Sequence, residues 1–250
     1  MFHTAAYQML LGVGTDIDVP AQTDQILTIT NNHFILGSPM DLVAFQAFSA
    51  LLDRVKLSSP TMRQIAAPYM QPIEDKTIAS SNPNLVLMDA TPFRIPAFEE
   101  IQCLATSTIA AATEQFTALL WLQDMHTPIP PGGWIPLRWT STGTAVVNSW
   151  TSIPITFADT IPSGVYAAVM SECFSTNAIA HRWTFSGQFP RPGYPSQVDA
   201  FSRHPYAISK GQWGMMGTFR SNDLPRLEVM ANVADAVHKG YLSVVKIASL

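Results

Sequence analysis

Ionised side chains are scarce in this chain. Only 13% of its 250 residues are Asp, Glu, Lys or Arg, about half the roughly 25% usual in soluble domains. A free-standing subunit relies on charge to stay apart from its neighbours, whereas the buried centres of interfaces are poor in Lys, Glu and Asp. The deficit therefore points to a surface shared with other copies; a neutral polar surface is the plainer alternative. No Lys or Arg precedes Arg54, no basic run occurs, and the net charge is −4. This excludes a basic arm that would neutralise nucleic-acid phosphate directly. The two cysteines, Cys103 and Cys173, lie in apolar runs and make no disulfide framework. No Asn-x-Ser/Thr acceptor is present, Met1–Gly14 lacks a positive stretch ahead of an apolar one, and no apolar run reaches the ~18 residues of a membrane span. The expectation is a chain without a transmembrane segment, used without export through the Sec route.

Catalytic motifs are absent as well. There is no Gly-x-Ser-x-Gly elbow, no His-Glu-x-x-His, no Walker A loop and no Gly-x-Gly-x-x-Gly; Gly12-Val13-Gly14 is a lone fragment of the last. His3, His33, His126, His181, His204 and His238 include no pair at metal-ligand spacing. No catalytic residue, metal or cofactor is expected. His181 falls on an apolar strand face, where a hydrogen-bonded core residue is the default. Asp16 and Asp18 lie close together and are the only calcium candidates, against a solvated edge or an intersubunit contact as the plainer reading. The six tryptophans are dispersed along the chain, which favours packing over a sugar platform.

Proline, by contrast, is plentiful. Nineteen prolines break the chain into short pieces, which suits strands joined by loops better than long helices. Residues 1–39 read as an arm with short strands at Gln25–Thr30 and His33–Leu36 around an Asn31-Asn32 turn. Leu42, Phe45, Phe48, Leu52 and Val55 recur at helical spacing after Asp41, so an amphipathic helix is predicted over about 41–56, with a second short one at Thr61–Ala67. Ser80–Asn84 reads as the boundary loop. From about residue 96 the pattern turns to β, with strand candidates near 97–108, 115–123, 143–149, 150–157, 164–174, 178–186, 226–234 and 240–248. Val165–Phe174 is apolar on both faces apart from Ser171 and Glu172, as in a strand covered on both sides. The fold class expected is all-β: an N-terminal arm with one or two short helices over 1–95, then an eight-stranded antiparallel jelly-roll sandwich over 96–250. The long excursions Pro128–Pro136 and Phe189–Pro225 are candidate interfacial loops.

The stretches Ser163–Val169, Ala180–Phe185, Pro190–Gly193, Gly211–Gly214, Arg226–Val233 and Gly240–Ile247 resemble the single jelly-roll capsid proteins of icosahedral viruses and phages. The likeness covers about a third of the chain well. It implies a non-enzymatic coat subunit that self-assembles into the shell of a virion, alone or with other coat proteins, with arms tying neighbours together. The missing basic arm departs from the RNA-virus members and shifts the expectation toward DNA phages or shells of several coat proteins. On this reading Phe45, Phe48, Leu52, Arg191, Tyr194, Trp213, Met215 and Met216 are the subunit-interface candidates. Two alternatives share the fold: a receptor- or glycan-binding module, marked by aromatic loop residues such as Trp134 with Tyr194 or Trp213, and an enzyme on a cupin-like barrel, which needs histidines converging on a metal.

Overall fold

A computed structural model describes residues 1–49, 52, 54–65, 85–88, 90–108, 115–198 and 211–249. The chain divides into two compact units. The N-terminal unit holds 5–124 and 147–149; the C-terminal unit holds 1–4, 125–146 and 150–250.

In the N-terminal half the strands are β1 (Phe2–Leu10), β2 (Gly14–Val19), β3 (Thr28–Thr30), β4 (His33–Ile35), β5 (Met40–Phe48), β6 (Arg54–Ser58), β7 (Leu85–Leu87), β8 (Phe93–Ile95), β9 (Glu100–Ser107) and β10 (Gln115–Gln123). One sheet runs β1-β10-β5-β7, with β8 also on β5; the other runs β2-β9-β4-β3, with β6 also on β9. Asn31 and Asn32 turn the β3–β4 hairpin with φ of 49° and 69°, the positive pair that a two-residue hairpin turn requires and asparagine tolerates. The single helix among the described residues, α1 (Pro60–Ile65), is capped twice. Ser59 Oγ accepts from Met62 N at 3.2 Å and the Glu99 carboxylate accepts from Thr61 N at 3.1 Å.

The C-terminal half carries β11 (Trp134–Ser141), β12 (Thr151–Ile153), β13 (Thr156–Phe157), β14 (Val165–Ser175), β15 (Ala178–Thr184), β16 (Gly193–Pro195), β17 (Gln197–Val198), β18 (Gly217–Arg220), β19 (Arg226–Ala231) and β20 (His238–Ala248). One sheet runs β13-β11-β20-β14-β17, with β18 on β14; the other runs β12-β19-β15-β16. The core between them is aromatic. Trp139 meets Trp183 edge-on at 6.1 Å, and Phe219 lies against Tyr166 at 5.6 Å, contacts worth about 1 kcal/mol each beyond area burial.

Both units are wired alike. The opening strand (β1, β11) pairs the closing one (β10, β20), which pairs a long middle strand (β5, β14), which pairs a later short one (β7, β18). In the second sheet the next strand (β2, β12) pairs the penultimate one (β9, β19), which pairs the strand after the long middle one (β6, β15). That is jelly-roll connectivity, traced twice.

The all-β, antiparallel jelly-roll class holds, but the chain holds two sandwiches, not one. The described residues of 1–95 are no arm: they supply most of a sandwich that β9 and β10 complete. The described residues of 41–56 form no helix. Leu42, Ala44, Phe45 and Ala47 are buried along β5, which pairs β10 from Asp41↔Gln123 to Phe48↔Thr117. A strand buried on both faces loses its period-2 alternation, and the surviving apolar run mimics helical spacing. Leu52 and Val55 belong to the following segment, where β6 joins the other sheet. The expected strand near 143–149 is absent, with Ala145 making only an isolated bridge to Asp235; β11 lies instead partly in what reads as a Pro-rich loop. The boundary loop Ser80–Asn84, the end of the second helix and His204 lie outside the described residues.

Candidate interface and buried polar sites

Six of the eight expected interface residues are buried. Phe45 and Leu52 are 1% exposed in the N-terminal core; of Phe48 only the backbone, in β5, is described. In the C-terminal unit Tyr194 and Trp213 stack at 5.7 Å with 6° between their planes, and Phe2 sits edge-on to both. Met216 is buried and Met215 half-buried. Arg191, 8% exposed, directs Nη1 to the carbonyls of Gln188 (3.0 Å) and Phe189 (2.8 Å). Phe45, Leu52, Arg191, Tyr194, Trp213 and Met216 thus pack within their own units, while Met215 keeps part of its surface open. The Pro-rich loop carries them back into the core because each has an apolar body that the sandwich can cover, and loop length hides this from the sequence.

The first four residues are held by the same region. Thr4 N donates to Arg191 O, Arg191 N to His3 Nδ1 (3.0 Å), Thr4 Oγ1 to Gly193 O (3.1 Å) and Arg182 Nη1 to Thr4 O (3.1 Å). The Arg182 guanidinium, 2% exposed, also donates from Nε to Glu228 Oε2 at 2.6 Å and lies 4.2 Å over the Trp150 ring. Arg182 and Glu228 face each other directly in the β15–β19 register. Sequence reasoning missed this pair. Its only signal was that both residues stand on the polar faces of their strands.

His181 bridges the two sheets of the C-terminal unit: its Nε2 pairs with Ser171 Oγ on β14 and its Nδ1 lies 3.4 Å from Ser196 Oγ. Burial pushes its pKa down to about 3, against the opposing hydrogen bond at Ser171, so the ring is neutral. It is a core residue, as the strand pattern predicts. Asp235 accepts from Ser175 Oγ (2.5 Å) and Asn177 N (2.8 Å), while His238 Nδ1 lies 3.0 Å from Ser175 Oγ. Burial opposes its ionisation, yet these hydrogen bonds hold its carboxyl below the usual carboxylate range. The network ties the β19–β20 turn to β14.

Asp16 and Asp18 are taken by cations or donors. Asp16, at positive φ (52°) in a bulge of β2, accepts from Lys56 Nζ at 2.8 Å, which with weaker help from Arg54 and Thr106 keeps its pKa low. Asp18 lies 3.1 Å from His33 Nε2 and accepts from Gln102 Nε2 at 3.2 Å. Among the described residues no three His, Cys, Asp or Glu side chains converge as a metal site. Burial raises the pKa of both thiols, that of Cys173 to about 12. Among the described residues no helix is long and apolar enough to cross a membrane.

Among the described residues, the exposed large apolar side chains lie chiefly in the C-terminal unit. Thirteen large apolar side chains are exposed among the described residues; Leu10, Val13 and Phe98 belong to the N-terminal unit and the other ten to the C-terminal one. On the outer face of the β11-β20-β14 layer, Tyr241 meets Phe174 edge-on at 6.5 Å beside a paired Arg138–Asp159 (2.9 Å), along a groove of about 390 Å³.

No protein-family model and no curated protein matches the chain. Among solved structures it aligns with the STIV major capsid protein (9% identity, 98% of this chain and 97% of that one, TM-score 0.25). It aligns similarly with the major capsid protein P2 of bacteriophage PM2 (8% identity, 99% and 98%, TM-score 0.25). A third alignment is with a Paenibacillus xanthan lyase (13% identity, 94% of this chain and 23% of that one, TM-score 0.24).

Proposed function

We propose that this chain is a structural coat subunit, many copies of which tile a closed icosahedral shell, and that it is not an enzyme. The observation that carries the reading is the ten large apolar side chains exposed among the described residues of the C-terminal unit, in a molecule with only 13% charged residues. Such a surface is at rest when copies cover it, through contacts individually weak but repeated around the shell. Jelly-roll sandwiches serve in capsids and lectins alike, so the surface and not the fold supports this choice. The shell is a virion, assembled inside the host cell, in which the subunit meets copies of itself and other coat proteins. With net charge −4 and no basic run, phosphate charge is handled by another component.

The test is native mass spectrometry with negative-stain microscopy of the full chain at physiological salt. Trimers, pentamers or closed particles are expected; a strict monomer at high concentration refutes the proposal. A glycan-binding module is the second reading. Its support is the Tyr241–Phe174 face beside Arg138 and Asp159, an aromatic surface next to hydrogen-bonding groups that suits a sugar ring. A glycan array bound through Tyr241, with no self-association, would favour it over the coat.

A further inference from the structure

At one end of the C-terminal unit an apolar knob stands beside an apolar hollow. Phe189 is 79% exposed, yet its backbone is not loose. Its carbonyl and that of Gln188 both accept from Arg191, and the Gln188 amide brackets Thr218, donating to its carbonyl at 2.7 Å and accepting from its N–H at 3.1 Å. A large aromatic held in water on a braced segment loses little further freedom on binding. Phe189 borders a concavity that shares Leu224 and Arg226 with an adjoining groove of about 460 Å³, walled by Ile153, Pro154, Ile155, Phe157 and Pro225. Asp223 and Arg226 stand exposed in the same patch. Neither makes an ion pair among the described residues.

We infer that this patch is a two-fold contact between copies of the chain, in which Phe189 of each copy enters the groove of the other and Asp223 faces the second copy's Arg226. The argument is self-complementarity. A two-fold contact brings the same patch together from both sides, so it needs knob and hollow, acid and base, side by side on one surface. A head-to-tail contact would separate them. Two buried phenylalanines remove about 300–500 Å², well under the roughly 1,200–2,000 Å² of a stable free-standing interface, so the contact is weak on its own and its dimer forms towards the top of the concentration range. The inference rests on the reading of the chain as a self-assembling subunit.

The test is sedimentation velocity of the full chain over a wide concentration range, for wild type, Phe189→Ser, Asp223→Arg, Arg226→Asp and the double reversal. Thermal melts serve as the check on folding. Phe189→Ser should weaken dimer formation at least about tenfold without lowering the melting temperature. Each single charge reversal should weaken it several-fold, and the double reversal should restore it. A wild type that associates no better than Phe189→Ser overturns this contact while leaving the coat reading intact. So does a double reversal that is merely the sum of the singles. A wild type that stays monomeric throughout overturns both.

Discussion

Glu228→Gln perturbs the buried charge of the C-terminal unit with little change in shape. Among the contacts that stabilise Arg182 are three: Glu228 at 2.6 Å, the Thr4 carbonyl at 3.1 Å and the Trp150 face at 4.2 Å. Removing one partner of a buried pair strands the other charge and costs about 3–5 kcal/mol. Here the neutral amide still accepts a hydrogen bond, and the carbonyl and ring remain, so the lower end, about 3 kcal/mol, is expected. Arg182→Met loses all three contacts and leaves Glu228, 13% exposed, without its cation, for about 3–4 kcal/mol. Once the guanidinium is gone, however, the glutamate charge has no purpose. The double variant should therefore fall short of the summed single losses by about 2 kcal/mol. Urea unfolding followed by tryptophan fluorescence measures this well, since Trp121 alone of the six tryptophans lies in the N-terminal unit. If the losses add to within about 0.5 kcal/mol, the limit for independent sites, the two side chains are not coupled and the reasoning fails.

Three further outcomes are expected. His181 has a folded pKa of about 3, below its unfolded value of about 6.5, so the unfolded chain takes up the proton first. Its contribution is full above pH 6.5 and is lost as pH falls toward 3, by up to about 1.4 kcal/mol per pH unit; His181→Gln should flatten the stability profile in that window. Cys103 and Cys173, both fully buried with raised pKa, should resist alkylation at pH 8 in the native protein and react on unfolding, as mass spectrometry would show. Gly240→Ala should cost more than about 3 kcal/mol in thermal or urea unfolding, because its new methyl would lie 1.9 Å from the Glu172 carbonyl oxygen and 2.6 Å from the Trp139 ring; a near-native melt would contradict the packing described.

Local chemistry is legible in the sequence wherever one residue pair decides the outcome. The Asn31-Asn32 hairpin, the short helix after Ser59, the doubly buried β14 and the core placement of His181 all follow from nearest neighbours, alternation or capping. The scarcity of charge is likewise a property of composition alone. Tertiary structure decided the rest, because it depends on partners far away in sequence. Whether the apolar run from Leu42 winds as a helix or extends as β5 is settled by β10, more than seventy residues on, which supplies its hydrogen bonds. The repetition of the jelly roll is invisible as a sequence repeat, since it resides in which strands pair and not in which residues recur. The burial of Tyr194 and Trp213 and the exposure of Phe189 were equally illegible. All three stand in one Pro-rich excursion, and only the path of the backbone determines which aromatic ring finds the core and which is left in water.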